Sequence, residues 1–209
     1  TGMNHFFATI SRMKYIERWA LMRSSRVETL SEHSIEVAMI AHALCVIGNR
    51  RYGRHLDAEK AALIGIYHDA SEIITGDMPT PVKYANKDLK NAFKDVERQA
   101  ERTLLSELPA DLLPDFDSIF TPENPDDEEE QYMRKLIKAA DKLSAYIKCM
   151  EEDDAGNKEF RTAKETIRQA VMKLRMEYPE VQDFCREFLP SYGNTLDELL
   201  GDIQKDPLA

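Results

Sequence analysis

Four residues of this chain have the types and spacing to hold a metal ion: His33, His68, Asp69 and Asp141. His68 and Asp69 are adjacent within the apolar run Ala61-Ala62-Leu63-Ile64-Gly65-Ile66-Tyr67-His68-Asp69-Ala70. Burying an imidazole and a carboxylate without partners costs roughly several kcal/mol. A divalent cation removes that cost, because neutral imidazole and carboxylate are both good ligands for such ions. His33 has Val37, Ile40 and Leu44 at i+4, i+7 and i+11, which puts it on the core-facing stripe of a helix. On its own it also fits a hydrogen-bonded core histidine. Asp141 shares a helix face with Ile137 and Ser144, and on its own fits a surface aspartate paired with Lys138. Together the four form an N2O2 set drawn from three helices, with positions left for water and substrate on a six-coordinate ion. His42 lies half a turn away from His33, and His5 and His55 fall near exposed ends, so none of these three receives a role.

Glu72 follows His68 by four residues and Asp69 by three, so on a helix it stacks beside both. It reads either as a third acidic group of the site or as a solvent-facing glutamate. Gly65, one turn earlier, would allow another helix or a ligand to approach closely.

The elements that must position these groups are helical nearly throughout, and glycine is scarce. A first helix is predicted from Asn4 to about Ala20. Thr29-Leu30-Ser31-Glu32 matches a capping box opening a helix to about Ile47. Asp57 caps a helix that carries His68–Asp69 and ends near Gly76. Pro79 and Pro81 force a loop, and a charged helix follows over about 86–108. Pro109, Pro114, Pro122 and Pro125 make 109–125 a connection. The acidic run Asp126–Glu130 reads as a solvated helix start or as a cation patch. Helices over about 130–150, 158–178 and 195–203 complete an all-α chain. With no repeat and no linker, residues 3–209 form one domain, and Thr1-Gly2 reads as an expression scar.

The chain has 209 residues, enough for one sizeable core, and a net charge of -10 that argues against general nucleic-acid binding. No apolar stretch of membrane-spanning length and no signal peptide is read, so no membrane partner is expected. Cys45, Cys149 and Cys185 are an odd, widely spaced set without a zinc motif, which fits a reducing cytoplasm.

The His33…His68-Asp69…Asp141 pattern resembles the HD superfamily of metal-dependent phosphohydrolases, whose fold is an all-α helical bundle. The stretches Tyr15-Ile16-Glu17-Arg18-Trp19, Glu32-His33-Ser34, His68-Asp69-Ala70-Ser71-Glu72 and Gly76-Asp77-Met78-Pro79-Thr80-Pro81-Val82-Lys83-Tyr84 resemble YfbR-type 5′-deoxynucleotidases over most of the chain. That resemblance implies hydrolysis of deoxynucleoside 5′-monophosphates by a homodimer with cobalt or manganese. It implies His33, His68, Asp69 and Asp141 as metal ligands, three of them (His33, Asp69 and Asp141) also bordering the substrate. It makes Glu72 a catalytic acidic residue, beside Asp69, and Arg18 a phosphate-orienting residue. Trp19 becomes a residue beside the sugar that disfavours a 2′-hydroxyl, and Asp77, Met78, Pro79 and Thr80 a substrate-contacting loop. Without the resemblance, Arg18–Trp19 reads as ordinary helix surface and packing. Two other readings keep the metal site: a phosphohydrolase for cyclic nucleotides, triphosphates or alarmones, and a metal-stabilised binding module without turnover.

Overall fold

The structure, a computed structural model, describes residues 4–204, and side chains through 201. Thr1-Gly2, read above as a scar, and both extremes of the expected 3–209 domain lie outside the described residues. Among the described residues the architecture is all-α, with a lone antiparallel bridge between Glu17 and Thr29. The helices are α1 (Phe6–Ile10), α2 (Leu30–Arg51), α3 (Ala58–Tyr67), α4 (Glu72–Thr75), α5 (Thr80–Lys83), α6 (Lys87–Leu105), α7 (Leu113–Phe120), α8 (Glu128–Asp154), α9 (Arg161–Glu177), α10 (Pro179–Glu187) and α11 (Leu196–Gln204).

The first helix is shorter than its apolar stripe suggests. After α1 and one 3₁₀ turn the chain straightens at Ile16, with φ -90° and ψ 117°. The Ile16 carbonyl accepts from Leu30 N–H, and Arg18 N–H donates to the Glu28 carbonyl. Pairing between 16–18 and 28–30 therefore takes backbone groups that a continuing helix would have used. Arg18 and Trp19 sit on a loop, not on a helix.

Two caps read from the sequence are present. The Thr29 side chain accepts from Glu32 N–H and opens α2, and the Asp57 side chain accepts from Lys60 N–H and opens α3. The helix begun at Asp57 stops at Tyr67 instead of running on to Gly76. His68 Nδ1 lies 2.7 Å from the Gly65 carbonyl oxygen, the acceptor that a continuing helix would offer to Asp69 N–H. The next turns close three residues back: Ala70 N–H on Tyr67, Glu72 N–H on Asp69 and Ile73 N–H on Ala70. His68 and Asp69 thus occupy a tight turn at a helix end. Gly76 closes α4 at φ 73° and ψ 167°, a conformation that only glycine adopts readily.

Two further elements depart from the sequence reading. The proline-rich stretch 109–125 contains α7, with Pro114 in its first turn, where a missing N–H is harmless. Helix α10 was not foreseen, and it likewise starts on a proline, Pro179. The acidic run is a helix start: Asp127 accepts from Glu129 and Glu130 N–H, while Glu129 pairs with Arg54 and Glu130 with Lys60. Neither carboxylate is left free for a cation.

Helix α2 is the centre of the molecule, packed against α3, α8 and α10. It is long and apolar enough to cross a bilayer, contrary to the sequence reading, but 56% of its apolar window is buried within the fold. Its Val37, Ile40, Ala41 and Leu44 join Leu136, Ala140 and Leu143 of α8 in the main core. A second cluster of Phe6, Met13, Leu30, Ala70 and Leu104 meets the first through Tyr67, Phe116 and Phe120. Closest approach is at Gly65, where an added Cβ would lie 2.7 Å from Ala38 Cα and 2.9 Å from its nitrogen. The atoms in the way are backbone, so the helices themselves would have to separate.

Substituting Gly65→Ala is therefore expected to destabilise by about 1–3 kcal/mol. Thermal melting should fall by roughly 2–12 °C. Gly201→Ala, where nothing lies within 4 Å, is expected to be neutral or stabilising. Equal melting temperatures for the two variants would show that α2 and α3 have slack at this crossing.

Candidate metal centre

Three elements deliver the cluster. His33 comes from the first turns of α2, His68 and Asp69 from the turn after α3, and Asp141 from the middle of α8. Each offers one donor atom, and the four atoms lie within 4.8 Å of one another. His33 Nε2 is 2.8 Å from Asp141 Oδ1 and 3.5 Å from Asp69 Oδ2. His68 Nε2 is 3.0 Å from Asp69 Oδ2 and 3.4 Å from Asp141 Oδ1. Donors sharing one ion through bonds of about 2.1 Å stand roughly 3–4 Å apart.

The hydrogen bonds behind the two imidazoles also suit a metal. Nδ1 of His68 donates to the Gly65 carbonyl, which turns the Nε2 lone pair toward the cluster. Nδ1 of His33 lies 3.0 Å from Ser144 Oγ, and that hydroxyl donates to Glu36 Oε1 at 2.6 Å. This relay makes Nδ1 the protonated nitrogen of His33 and presents Nε2 to the same centre. His68 Nε2 is buried and lacks a hydrogen-bond partner despite the nearby carboxylates. Buried polar atoms without partners are uncommon in folded proteins. Among the described residues six side-chain atoms are in that state, and Trp19 Nε1, His68 Nε2 and Glu72 Oε2 are three of them. The donor set and the orphaned His68 Nε2 fit a divalent ion.

Electrostatics follow from the same crowding. Burial would raise Asp69, but the His68 charge and the close approach of both imidazoles hold it below the usual carboxylate range. Asp141 is held low in the same way, against burial, by His33 and His68. Burial would lower both imidazoles, yet the carboxylates raise His33 and raise His68 strongly. Glu72 has the opposite fate. It is 7% exposed. Burial, with the Asp69 and Asp77 charges, pushes its carboxyl up to about 9 against the pull of Arg18 and Lys83.

Arg18 is aimed at the cluster by a residue with no local signal in the sequence. Its Nε donates to Glu28 Oε1 at 2.7 Å, and its Nη1 lies 3.9 Å from Asp69 Oδ2. The outer edge of the guanidinium therefore faces the metal centre. Trp19 is held at φ 60°. For a bulky residue that left-handed conformation costs about 1–3 kcal/mol and persists only where surroundings impose it. Asp77 is exposed and lies within charge range of Arg18, Asp69 and Lys83. Met78 and Pro79 are half-buried and Thr80 is exposed; the backbone bonds of Pro79 and Thr80 close only the local turn of α5. Sequence reasoning did not find Glu28 or Glu36, and it had Lys83 within the 76–84 stretch but gave it no role. Ser144 was visible one turn beyond Asp141, but without its role.

Metal binding must displace the protons that His33 and His68 retain above their ordinary range. Affinity of the metal-stripped protein is therefore expected to rise with pH above about 6.5, with release of roughly two protons per ion. Calorimetric titration in buffers of different ionisation enthalpy measures both quantities. In the same titration Ser144→Ala is expected to weaken binding about 10–100-fold. A pH-independent affinity would mean that these imidazoles do not ligate.

A family model for YfbR-like 5′-deoxynucleotidases matches residues 5–192. A 5′-deoxynucleotidase of Vibrio vulnificus is 44% identical over 94% of this chain and 98% of its own length. One from Yersinia pestis is 45% identical over 94% and 97%. Among solved structures, an HD-domain phosphohydrolase from Listeria innocua superposes with a TM-score of 0.74 at 24% identity, covering 90% of this chain and 88% of that one. A cyanophage S-2L HD phosphohydrolase, bound to dA and one catalytic Zn2+ ion, gives 0.56 at 19% identity over 90% and 96%. With the fold, the cluster and these relatives in agreement, the chain belongs to the YfbR-like 5′-deoxynucleotidase family.

Proposed function

We propose that the protein hydrolyses deoxynucleoside 5′-monophosphates to deoxynucleosides and inorganic phosphate, with a divalent metal held by His33, His68, Asp69 and Asp141. One observation carries this reading. The four-donor cluster, the outward edge of Arg18 and the buried Glu72 carboxyl lie together in a chain whose family is named for that activity. The metal, cobalt or manganese, would supply Lewis acidity toward phosphate and water.

The residues of the chain would do the rest. Arg18, steadied through Nε by Glu28, offers its Nη groups as a planar fork to two phosphate oxygens. Asp69 and Asp141 bring negative charge that balances the metal and border the phosphate together with His33. Glu72 is suited to donate a proton to the leaving 5′-oxygen, since a carboxyl raised to about 9 is protonated at neutral pH. Asp77, Met78, Pro79 and Thr80 form the loop that would close on the nucleoside. Trp19 would stand beside C2′ as an apolar wall. Such a wall rejects an added hydroxyl only moderately.

Three coarser attributes complete the proposal. The three cysteines are free and buried, which suits a reducing cytoplasm. Ile35 and Met39 on α2 and Leu63 on α3 are exposed apolar side chains that suit a homodimer, which sedimentation would reveal. No nucleic-acid polymer or membrane is proposed as a partner.

The test is phosphate release from matched deoxy- and ribonucleoside 5′-monophosphates by the metal-loaded protein. Deoxyribose is expected to be favoured ten- to a few hundredfold in kcat/KM, or roughly 1.4–3.4 kcal/mol. Thousandfold selectivity, or none, would remove Trp19 as the wall. Asp69→Asn is expected to lose nearly all turnover while keeping its helical signal; lost folding instead would favour a structural metal site. Glu72→Ala is expected to lower kcat about 10²–10⁴-fold on nucleotides, and much less on p-nitrophenyl phosphate, whose leaving group needs no acid. An equal loss on both substrates would reassign Glu72 from proton donor to water orientation.

A further inference from the structure

The loop that carries Arg18 and Trp19 is fastened from behind by groups far along the chain. Glu152, on the last turns of α8, is buried. Its carboxylate accepts from Ser25 N–H at 2.9 Å, from Ser25 Oγ at 2.8 Å and from Arg26 N–H at 3.3 Å. Lys148 Nζ and Asn157 Nδ2 donate to the same carboxylate at 2.6 and 2.8 Å. Both donors then reach the loop directly, Lys148 at the Arg26 carbonyl and Asn157 at the Arg23 carbonyl. Beside it, the buried Phe160 ring meets the Trp19 indole edge to face, with centroids 5.4 Å apart and planes at 63°. Lys148 Nζ stands 5.7 Å from the centre of the same Phe160 ring.

We propose that Phe160 and Glu152 are positioning residues that set sugar selectivity by fixing Trp19 and the loop behind it. The proposal rests on the sugar-facing reading of Trp19 given above. An apolar wall distinguishes hydrogen from hydroxyl only if its surface is placed to within a fraction of the size of that hydroxyl. Trp19 sits in a left-handed conformation that it would leave if released. Its indole N–H has no protein partner, so the ring is held by contact with Phe160 instead of by a hydrogen bond. The loop backbone is held by the Glu152 carboxylate, whose proton affinity is lowered, against burial, by Lys148, Asn157 and Ser25. Neither residue is among the metal donors, and Arg18 is held separately by Glu28, so both act through Trp19 and not on the reacting atoms.

Trp19 is the one tryptophan of the chain, so the intrinsic tryptophan fluorescence reports on the surroundings of this residue alone. In the metal-loaded full-length protein, Phe160→Leu and Glu152→Gln are expected to red-shift that emission and to make it easier to quench with acrylamide. The deoxy-over-ribo ratio in kcat/KM should fall about three- to tenfold, through better use of the ribonucleotide, with kcat on the deoxynucleotide kept within about threefold. Phe160→Tyr, which keeps the ring, should restore both readouts. An unchanged ratio with unchanged emission would overturn the proposal, as would an equal loss of kcat on both substrates, the mark of a merely structural role. Trp19→Ala separates the two levels. If it leaves the ratio unaltered, the sugar-facing reading of Trp19 fails and the selectivity claim fails with it. If it lowers the ratio while Phe160→Leu and Glu152→Gln do not, this proposal alone is wrong. Should Phe160→Leu not fold, Glu152→Gln and Phe160→Tyr carry the same comparison.

Discussion

Asp141 Oδ1 stands 2.8 Å from one imidazole and 3.4 Å from the other, and Asp69 Oδ2 closes the same small space from the opposite side. Four donors in so small a volume cannot all keep water around them. They must share protons or share a cation. The rest of the molecule is arranged around that constraint. Hydrogen bonds donated to the Gly65 carbonyl and to Ser144 Oγ choose which imidazole nitrogen faces inward. Arg18 adds positive charge at the margin, and Glu72 takes up a proton because it is buried next to charges of its own sign.

Holding the donors together is a task for the packing of helices. The four clustered residues come from α2, the end of α3 and α8, and the α2–α3 crossing is close because Gly65 has no side chain. The turn at His68 is part of the same device. By giving its Nδ1 proton to the Gly65 carbonyl, His68 both ends α3 and sets the direction of its own Nε2. One hydrogen bond thus links the local fold to the chemistry. On the other side, the loop of Arg18 and Trp19 has no regular structure of its own. It is held by pairing with residues 28–30 and by the buried Glu152–Lys148 pair, so its rigidity comes from tertiary contacts.

Local chemistry made part of this legible. Thr29 and Asp57 cap helices because a short oxygen-bearing side chain satisfies a free N–H at any helix start, whatever surrounds it. His33 was readable because its neighbours at helical spacing are apolar. The readings that failed did so where a distant partner overrode a local preference. The stripe from Phe6 to Ile16 is real, but strand-like pairing with 28–30 ends the helix. Prolines in 109–125 mark a break, yet Pro114 in a first turn starts α7. The apolar run through His68 continues past Tyr67, while the helix does not, because a side chain competes for its acceptor.

By itself the sequence determined the all-α class, the caps, the identity and order of the four residues that cluster, and the motifs that mark the family. These depend on residue type and on spacings of a few positions. Tertiary structure decided the rest: the left-handed Trp19, the aim of Arg18 through Glu28, the relay from His33 to Glu36, and the protonation of Glu72. Most of these depend on groups distant in the chain, such as Ser144 for His33 and Glu152 for Ser25. Burial and charge act through space, and no local pattern of residues records which distant groups will share that space.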